Sequence, residues 1–238
     1  MGTTGYTTIS RQSGLMREMR VIANNIANSA TTGYRQEGLI FSEFVQTSPG
    51  EPSLSMSRAN IFNTSMQQGQ LTQTGGTFDF AIEGDGFFMV ETPQGERLTR
   101  SGAFSSNAAG DLVTMDGYRV LDAGRAPVFV PPDAGKIEVG ADGSLSANGR
   151  LLGQLGLFQP VEKHTLVRED GVMFRVEGDI EENFDSKVLQ GFLEGSNVNA
   201  ISEVSRMIEV QRAYEMGQSF LQAEDERIRN AIKNLIKS

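Results

Sequence analysis

Apolar residues near the N-terminus recur with the period of a helix. Their spacing of four, three and four residues places them on one face, with polar residues opposite. The predicted packing face consists of Leu15, Met19, Ile22 and Ile26. The pattern predicts an amphipathic helix that ends between Asn28 and Thr32, where Gly33 suits the left-handed conformation that closes a helix.

A second helical pattern begins near Asn199, a good N-cap residue, and continues almost to the last residue without proline. One heptad position of this pattern is apolar or aromatic throughout: Met207, Tyr214, Leu221, Ile228 and Leu235. The companion position, three residues earlier, is partly polar: Val204, Gln211, Gln218, Asp225 and Ile232. This helix is expected to pair with the N-terminal helix, and both are expected to complete their burial in an assembly.

The chain between the helices changes character at Phe78. Residues 35–77 are rich in polar residues and glycine, and their apolar residues are irregularly spaced, which predicts an extended connector. From Phe78 onward short apolar runs alternate with glycine turns, which predicts a β domain whose core contains Phe78, Phe80, Phe87, Phe88 and Phe104. The turn signals are Gly84-Asp85-Gly86, Asp116-Gly117, Asp142-Gly143 and Asn148-Gly149.

The predicted fold class is therefore α+β. Long N- and C-terminal helices pair as an α-helical coiled-coil-like domain, followed in the chain by an extended connector and a central all-β domain. The predicted boundaries are 1–34 for the N-terminal helix, 35–77 for the connector, 78–191 for the β domain and 192–238 for the C-terminal helix.

Composition narrows the classes of function. The net charge of -9 argues against a sequence-independent nucleic-acid binder, which needs lysine and arginine to neutralise phosphates. The chain has no cysteine and a single histidine, His164, so thiolate metal sites, clusters of several histidines and HExxH zinc sites are excluded, and no Ser-His-Asp triad is expected. No run approaches the roughly 20 apolar residues of a membrane span, and the first residues do not resemble a secretory signal.

Two further stretches contain residue types that could bind a ligand. Gly84-Asp85-Gly86 precedes an apolar strand pattern, whereas a phosphate-binding glycine loop must lead into a helix. The acidic run between Asp170 and Asp185 lacks the spacing of a calcium loop and is typical of a solvated face. The sequence therefore predicts no catalytic residue, no metal site and no cofactor.

Three stretches, in this order, resemble the flagellar rod and hook protein family, the axial proteins of the bacterial flagellum. They are "IANNIANSATTGYR", "DFAIEGDGFFMVETPQGERLTRSGAFSSNAAGDLVTMDGYRVL" and "GFLEGSNVNAISEVSRMIEVQRAYE". The resemblance implies paired terminal helices in an inner tube and an outer β domain. Arg35 stands where the family often has lysine. The positions that the resemblance implies for assembly are Asn24, Asn25, Ala27, Asn28, Thr32, Gly33, Tyr34, Glu194, Ser196, Asn197, Val198, Gln211 and Arg212.

The resemblance also implies a function. The chain is expected to be a structural subunit of the proximal rod, with a distal rod subunit as the alternative, and to transmit torque from motor to hook. Expected partners are other copies of itself, neighbouring proximal rod proteins, the distal rod protein and, during secretion, the flagellar export apparatus. The expected location is the basal-body rod in the periplasm, reached by the flagellar export pathway without a cleaved signal.

Two hypotheses from other classes stay open at this point. A wall-cutting hydrolase of the periplasm would need a catalytic carboxylate in a groove, and the sequence identifies none. A cytoplasmic binding module would use the heptad helix to form a coiled-coil dimer.

Overall fold

The computed structural model describes the backbone of residues 2–46 and 54–237 and the side chains of residues 8–40 and 63–235. Residues 1, 47–53 and 238, which fall within the predicted helices and connector, lie outside the described residues. Two α-helices frame the described chain, α1 (Gly2–Ala27) and α2 (Ala200–Lys237), and a short 3-10 helix spans Lys163–Thr165. The strands are β1 (Glu37–Gln46), β2 (Leu54–Thr64), β3 (Leu71–Gln73), β4 (Phe80–Glu83), β5 (Phe87–Thr92), β6 (Gly95–Thr99), β7 (Phe104–Ser106), β8 (Leu112–Thr114), β9 (Arg119–Val120), β10 (Ile137–Val139), β11 (Ser144–Ala147), β12 (Arg150–Gln154), β13 (Leu157–Pro160), β14 (Leu166–Asp170), β15 (Met173–Val176), β16 (Ile180–Glu182), β17 (Lys187–Gln190) and β18 (Phe192–Glu194).

The chain divides into two compact units. The helical unit contains α1, α2 and the two-stranded sheet of β1 and β2 through Asn63. The β unit contains residues 28–36 and 64–198. Residues 28–36, which directly follow α1 in the chain, thus fold with the β unit.

In the helical unit α1 and α2 lie antiparallel. The side-chain amide of Gln12 donates a 2.9 Å hydrogen bond to the carbonyl of Tyr214, near the N-terminal end of α1. Further along α1, Arg206 lies 2.7 Å from the carboxylate of Glu18. Residue numbers thus rise along α1 as they fall along α2.

The structure contradicts the predicted coiled-coil-like domain, and the α+β class fits only in part. The face of α2 that is buried or half-buried runs through Glu203, Met207, Val210, Tyr214, Gly217, Leu221 and Glu224. Two carboxylates and a glycine on this face replace the apolar residues that a coiled coil needs at its core positions. The companion positions predicted from the heptads, Val204, Gln211, Gln218, Asp225 and Ile232, are all exposed.

The two helices also differ in length. α1 has 26 residues and α2 has 38, so about 12 residues of α2, roughly 18 Å of helix, have no counterpart in α1. Ile228 and Leu235 lie in this extension and are exposed. A continuous two-stranded seam over the whole of α2 is therefore absent from the described chain.

The β unit is built on a nine-stranded sheet with the path β14-β15-β6-β5-β9-β8-β7. Strand β13 pairs with β5 and β16 off this path. Smaller sheets are formed by β10-β11-β12, by β17 with β4 and by β18 with β3. The last two pairings join the C-terminal strands to the first strands of the unit, so the two ends of the β unit are adjacent.

The predicted turns and aromatic core of the β unit are confirmed. Asn148 and Gly149 have φ angles of 49° and 78° between β11 and β12, the left-handed pair of a tight hairpin turn. Phe80, Phe87, Phe88 and Phe104 are buried. Phe78 packs against the cluster that contains Phe80, Phe88 and Phe104, and Phe87 belongs to a second cluster. The rings of Phe88 and Phe104 meet edge to face, with centroids 5.3 Å apart.

Candidate functional site

The stretches that resemble the two terminal signatures meet inside the β unit. The amide of Gly33 donates a 2.8 Å hydrogen bond to the carbonyl of Glu194. In return the amide of Asn197 donates to the carbonyl of Tyr34 at 3.3 Å. The side-chain carbonyl of Asn197 accepts a 2.6 Å hydrogen bond from the amide of Gln36. An entry segment, residues 33–36, therefore lies alongside an exit segment, residues 192–197.

A third segment, residues 65–69, completes this arrangement, which we call the junction. The amide of Ser65 donates to the carbonyl of Gln36 at 2.8 Å. The side-chain amide of Asn197 donates to the carbonyl of Gln67 at 2.7 Å. The chain passes between the two units at four points, and three of them, after Gln36, before Thr64 and after Val198, adjoin the junction. The fourth follows Ala27.

A buried ion cluster lies at the centre of the junction. Arg35 Nη2 is 2.9 Å from Glu194 Oε1, and Arg100 Nη1 is 3.0 Å from Glu194 Oε2. All three side chains are about 1% exposed. The amide of Gly69 donates to the same Glu194 Oε1 at 3.0 Å. One carboxylate thus connects the entry segment, the third segment and the central part of the chain.

Backbone carbonyls accept hydrogen bonds from the other Nη groups of the two arginines, whereas Arg35 Nε and Arg100 Nε are buried without a hydrogen-bond partner among the described residues. Arg35 Nη1 donates to the carbonyl of Met66 at 3.0 Å. Arg100 Nη2 donates to the carbonyl of Gly84 at 2.6 Å and Arg100 Nη1 to that of Ile82 at 3.3 Å. These dipoles compensate the second positive charge, which a single carboxylate leaves unbalanced.

Burial perturbs both guanidinium groups. It lowers the pKa of Arg100 to about 10, and the Glu194 carboxylate opposes this shift. Burial also lowers the pKa of Arg35, again opposed by Glu194. A pKa of about 10 leaves Arg100 protonated at neutral pH. Among the described side chains, Glu194 is the one carboxylate that bonds directly to either arginine.

The aromatic ring of Tyr34 is held by a third arginine. The guanidinium of Arg168 lies 4.4 Å from the centre of the Tyr34 ring and 4.7 Å from that of Phe174. Arg168 also donates to the carbonyl of Arg35. The guanidinium is attracted to the face of an aromatic ring by a cation–π interaction. This interaction fixes the entry segment against β14 and β15.

Gly33 is required by the close approach of two backbones. Its φ angle is 71°, the left-handed conformation expected for it, although α1 ends six residues earlier, at Ala27. A Cβ atom at this position would lie 2.3 Å from the amide nitrogen of Ser101. The glycine therefore allows contact with the segment that carries Arg100, rather than closing the helix.

Asn25 has an analogous role in the helical unit, where it is buried. Its side-chain amide donates to the carbonyl of Glu37 at 2.8 Å, and its side-chain carbonyl accepts from the amide of Glu37 at 3.0 Å. The same amide group donates to the Glu203 carboxylate of α2 at 3.1 Å. An asparagine thus joins α1, β1 and α2, because it carries a donor and an acceptor on one planar group.

The residues predicted for assembly differ in exposure. Those that are buried are Asn25, Gly33, Tyr34 and Glu194. Those that are half-buried are Asn28, Thr32, Ser196, Asn197 and Val198. Those that are exposed are Asn24, Ala27, Gln211 and Arg212. The structure brings together Gly33, Tyr34, Glu194 and Asn197 at the junction.

The predicted helix-packing residues also differ in exposure. Those that are buried or half-buried are Leu15, Met19, Ile22, Ile26, Met207, Tyr214 and Leu221, and those that are exposed are Ile228 and Leu235.

Sequence reasoning missed Arg100, Arg168 and Glu203 as parts of these sites. Charged residues are mostly found at protein surfaces, and nothing in the local pattern around these three indicates burial. A signal did exist for Glu194, which lies within the C-terminal signature and is the only charged residue between Lys187 and Glu203. Its buried partners could not be identified from spacing along the chain.

Among the described side chains no group of three His, Cys, Asp or Glu residues could hold a metal ion. His164 is exposed on the 3-10 helix, with Nε2 3.2 Å from the Glu162 carboxylate. Neither of the described α-helices is long and apolar enough to cross a membrane. The charged groups of the junction are engaged with one another and with backbone carbonyls.

Family models match three parts of the chain. A model described as "Flagella basal body rod protein" matches residues 3–35. A model described as "Flagellar hook protein FlgE/F/G D1 domain" matches residues 81–147. A model described as "Flagellar basal body rod FlgEFG protein C-terminal" matches residues 189–234. These three matches cover residues 33–35 of the entry segment, the whole exit segment and part of the β unit.

Curated relatives match over nearly the whole chain. The flagellar basal-body rod protein FlgF of Mesorhizobium japonicum is 39% identical over 97% of this chain and 96% of its own length. The protein of the same name from Rhizobium meliloti is 38% identical over 99% and 98%. The flagellar basal-body rod protein FlgG of Agrobacterium fabrum is 34% identical over 91% and 93%.

Proposed function

The chain belongs to the flagellar basal-body rod protein family and is a structural subunit of the rod, and we propose that it polymerises through α1 and α2. In this proposal it needs no catalytic group and transmits torque from motor to hook through packing. It lies in the periplasmic part of the basal body and is exported through the flagellar pathway. Its partners are other copies of itself, neighbouring proximal rod proteins, the distal rod protein and, during secretion, the export apparatus.

The observation that carries this proposal is the exposed apolar surface of α2. Ile201 is 82% exposed, Met216 66% and Leu235 75%. Further exposed apolar side chains on the same helix are Val204, Ile208, Phe220, Ile228 and Ile232. Apolar surface on this scale is typical of residues that contact another protein.

The buried and exposed motif residues then have different roles. Asn24, Ala27, Gln211 and Arg212 are exposed on the helical unit or at its end and are proposed to contact neighbouring subunits. Asn25, Gly33, Tyr34 and Glu194 are buried and are proposed to act by fixing the conformation of their own subunit. The four-part domain division made from sequence stays a prediction.

A proximal position in the rod is the preferred assignment. It is supported by sequence identity, which is 39% and 38% to the two relatives named FlgF and 34% to the FlgG of Agrobacterium fabrum. A distal rod subunit of the same family is the second candidate.

Photo-cross-linking tests the role of the helices. We would incorporate p-benzoylphenylalanine at Met216 on α2, and at Met115 in the β unit, which is similarly exposed, as a matched position. Irradiation of isolated basal bodies is expected to link the probe at Met216 to rod subunits, and irradiation of the free chain to give no such product. Absence of rod adducts from Met216, and likewise from probes at Ile201 and Phe220, would exclude α2 as the polymerising surface.

A further inference from the structure

The ion cluster is shared between segments that are far apart in the chain. Arg35 belongs to the entry segment, Glu194 to the exit segment, and Arg100 follows β6. Two buried guanidinium groups bond to one carboxylate, so neither the entry segment nor the central strands can satisfy the cluster alone. A buried charge that loses its partner is strongly destabilising, because it keeps its desolvation cost without the compensating attraction.

We infer that Glu194 is a positioning residue that makes the entry segment and the exit segment order and disorder as one cooperative element. Neither segment keeps its native conformation when the other detaches. The ion cluster thus holds the two segments together at the point where both ends of the β unit meet.

The hydrogen bonds of the junction support this coupling. Gly33 and Gln36 in the entry segment donate to acceptors in the exit segment, and Asn197 donates back to Tyr34. Detachment of the exit segment therefore removes these bonds and also leaves Arg35 and Arg100 without their carboxylate. Detachment of the entry segment removes the same bonds and one of the two cations that Glu194 binds.

The coupling is specific to the junction rather than to the β unit as a whole. The core strands β4, β5 and β6 carry much of the buried apolar surface, which packs in two hydrophobic clusters. The ion cluster touches these strands through Arg100, which bonds to the carbonyl of Ile82 and lies over the ring of Phe87, but their apolar packing remains when Glu194 loses its charge. Residues 28–36 contribute only Tyr34 to the buried apolar residues. Local opening of the junction should therefore precede unfolding of the core strands.

Hydrogen exchange of the full chain tests this coupling. The exchange rates are measured in peptides that cover residues 28–36 and 192–198. Glu194→Gln keeps the shape of the side chain and removes its charge. It is expected to accelerate exchange about 100-fold in both peptides and by the same factor, while peptides from β5 and β6 change much less. Glu91→Gln is the matched control, because Glu91 pairs with Arg119 at 2.7 Å with both side chains largely exposed, and it is expected to change exchange less than twofold near the junction.

Asn197→Ala is the second variant and leaves the charges in place. It removes the contacts of the Asn197 side chain with Gln36, Gln67 and Ser65. We expect about 10-fold faster exchange, again equal in the two peptides. The inference is overturned if either variant accelerates one peptide without the other, or if the core strands accelerate by the same factor as the junction.

Discussion

At the residue scale, the contact between the entry segment and Ser101 depends on the missing side chain of Gly33. Gly33→Ala combines a left-handed φ of 71° with a Cβ atom 2.3 Å from a backbone nitrogen. Backbone must therefore move, and we expect a loss of about 2 kcal/mol or more in the free energy of unfolding. This loss is measured by denaturant unfolding of the β unit, with circular dichroism as the readout.

Gly149→Ala is the matched control for this substitution. Gly149 has a similar φ of 78°, but a Cβ atom there would meet nothing within 4 Å. Only the conformational strain remains, and we expect a loss of about 1 kcal/mol. Equal losses for the two variants would mean that the close approach at Gly33 contributes nothing to stability.

Individual residues differ in how well the sequence predicted them. Asn199 is an N-cap as expected, since its side-chain oxygen accepts from the amide of Ser202 at 3.1 Å. Capping and turn preferences depend on neighbouring residues and can therefore be recognised locally. The bonds of Glu194 to Arg35 and Arg100 depend on chain segments that only the fold brings together, and so they could not be predicted.

At the scale of the elements, the packing face of α2 can be tested with two valines. Val210 is 7% exposed on the observed face, whereas Val204 is 46% exposed at a position predicted from the heptads. We expect Val210→Ala to cost about 1–2 kcal/mol and Val204→Ala less than about 0.5 kcal/mol in the isolated chain. Both substitutions change helix propensity equally, so the difference in helix melting, measured by circular dichroism, reports packing.

The opposite ranking of the two valines would restore the face that the heptads suggested. Heptad spacing places the companion positions three residues before Met207 and Tyr214, whereas the observed face includes Gly217 and Glu224. Neither of these residues contributes to an apolar sequence pattern. Gly217 allows close approach of Gln12, and Glu224 lies at the end of the paired region. The strands and turns of the β unit were predicted more completely, because glycine and asparagine mark each turn locally.

At the scale of the whole molecule, the two units differ in how much apolar surface they bury. Both hydrophobic core clusters of the described residues lie in the β unit. The buried apolar side chains described in the helical unit are Val21, Ile22 and Val210. Since burial of apolar surface is the main stabilising contribution, the free chain should not unfold as a single two-state system.

Calorimetry of the free chain checks this expectation. We expect two transitions, and the helical circular dichroism signal at 222 nm should be lost in the first. Addition of rod subunits that bind the helices should raise the temperature of the first transition, because a ligand of the native form stabilises it. One sharp transition, with equal calorimetric and van't Hoff enthalpies, would contradict the difference between the units.

The junction also restricts how this protein can be recombined with its relatives. In a chimera that exchanges only the N-terminal signature, the entry segment would come from one parent. The exit segment and the residues around Arg100 would come from the other parent. Crossover points after Gln36 and before Phe192 would keep Arg35 and Glu194 from the same parent. Grafting both ends together, rather than either end alone, is therefore the design rule for building rods of mixed composition.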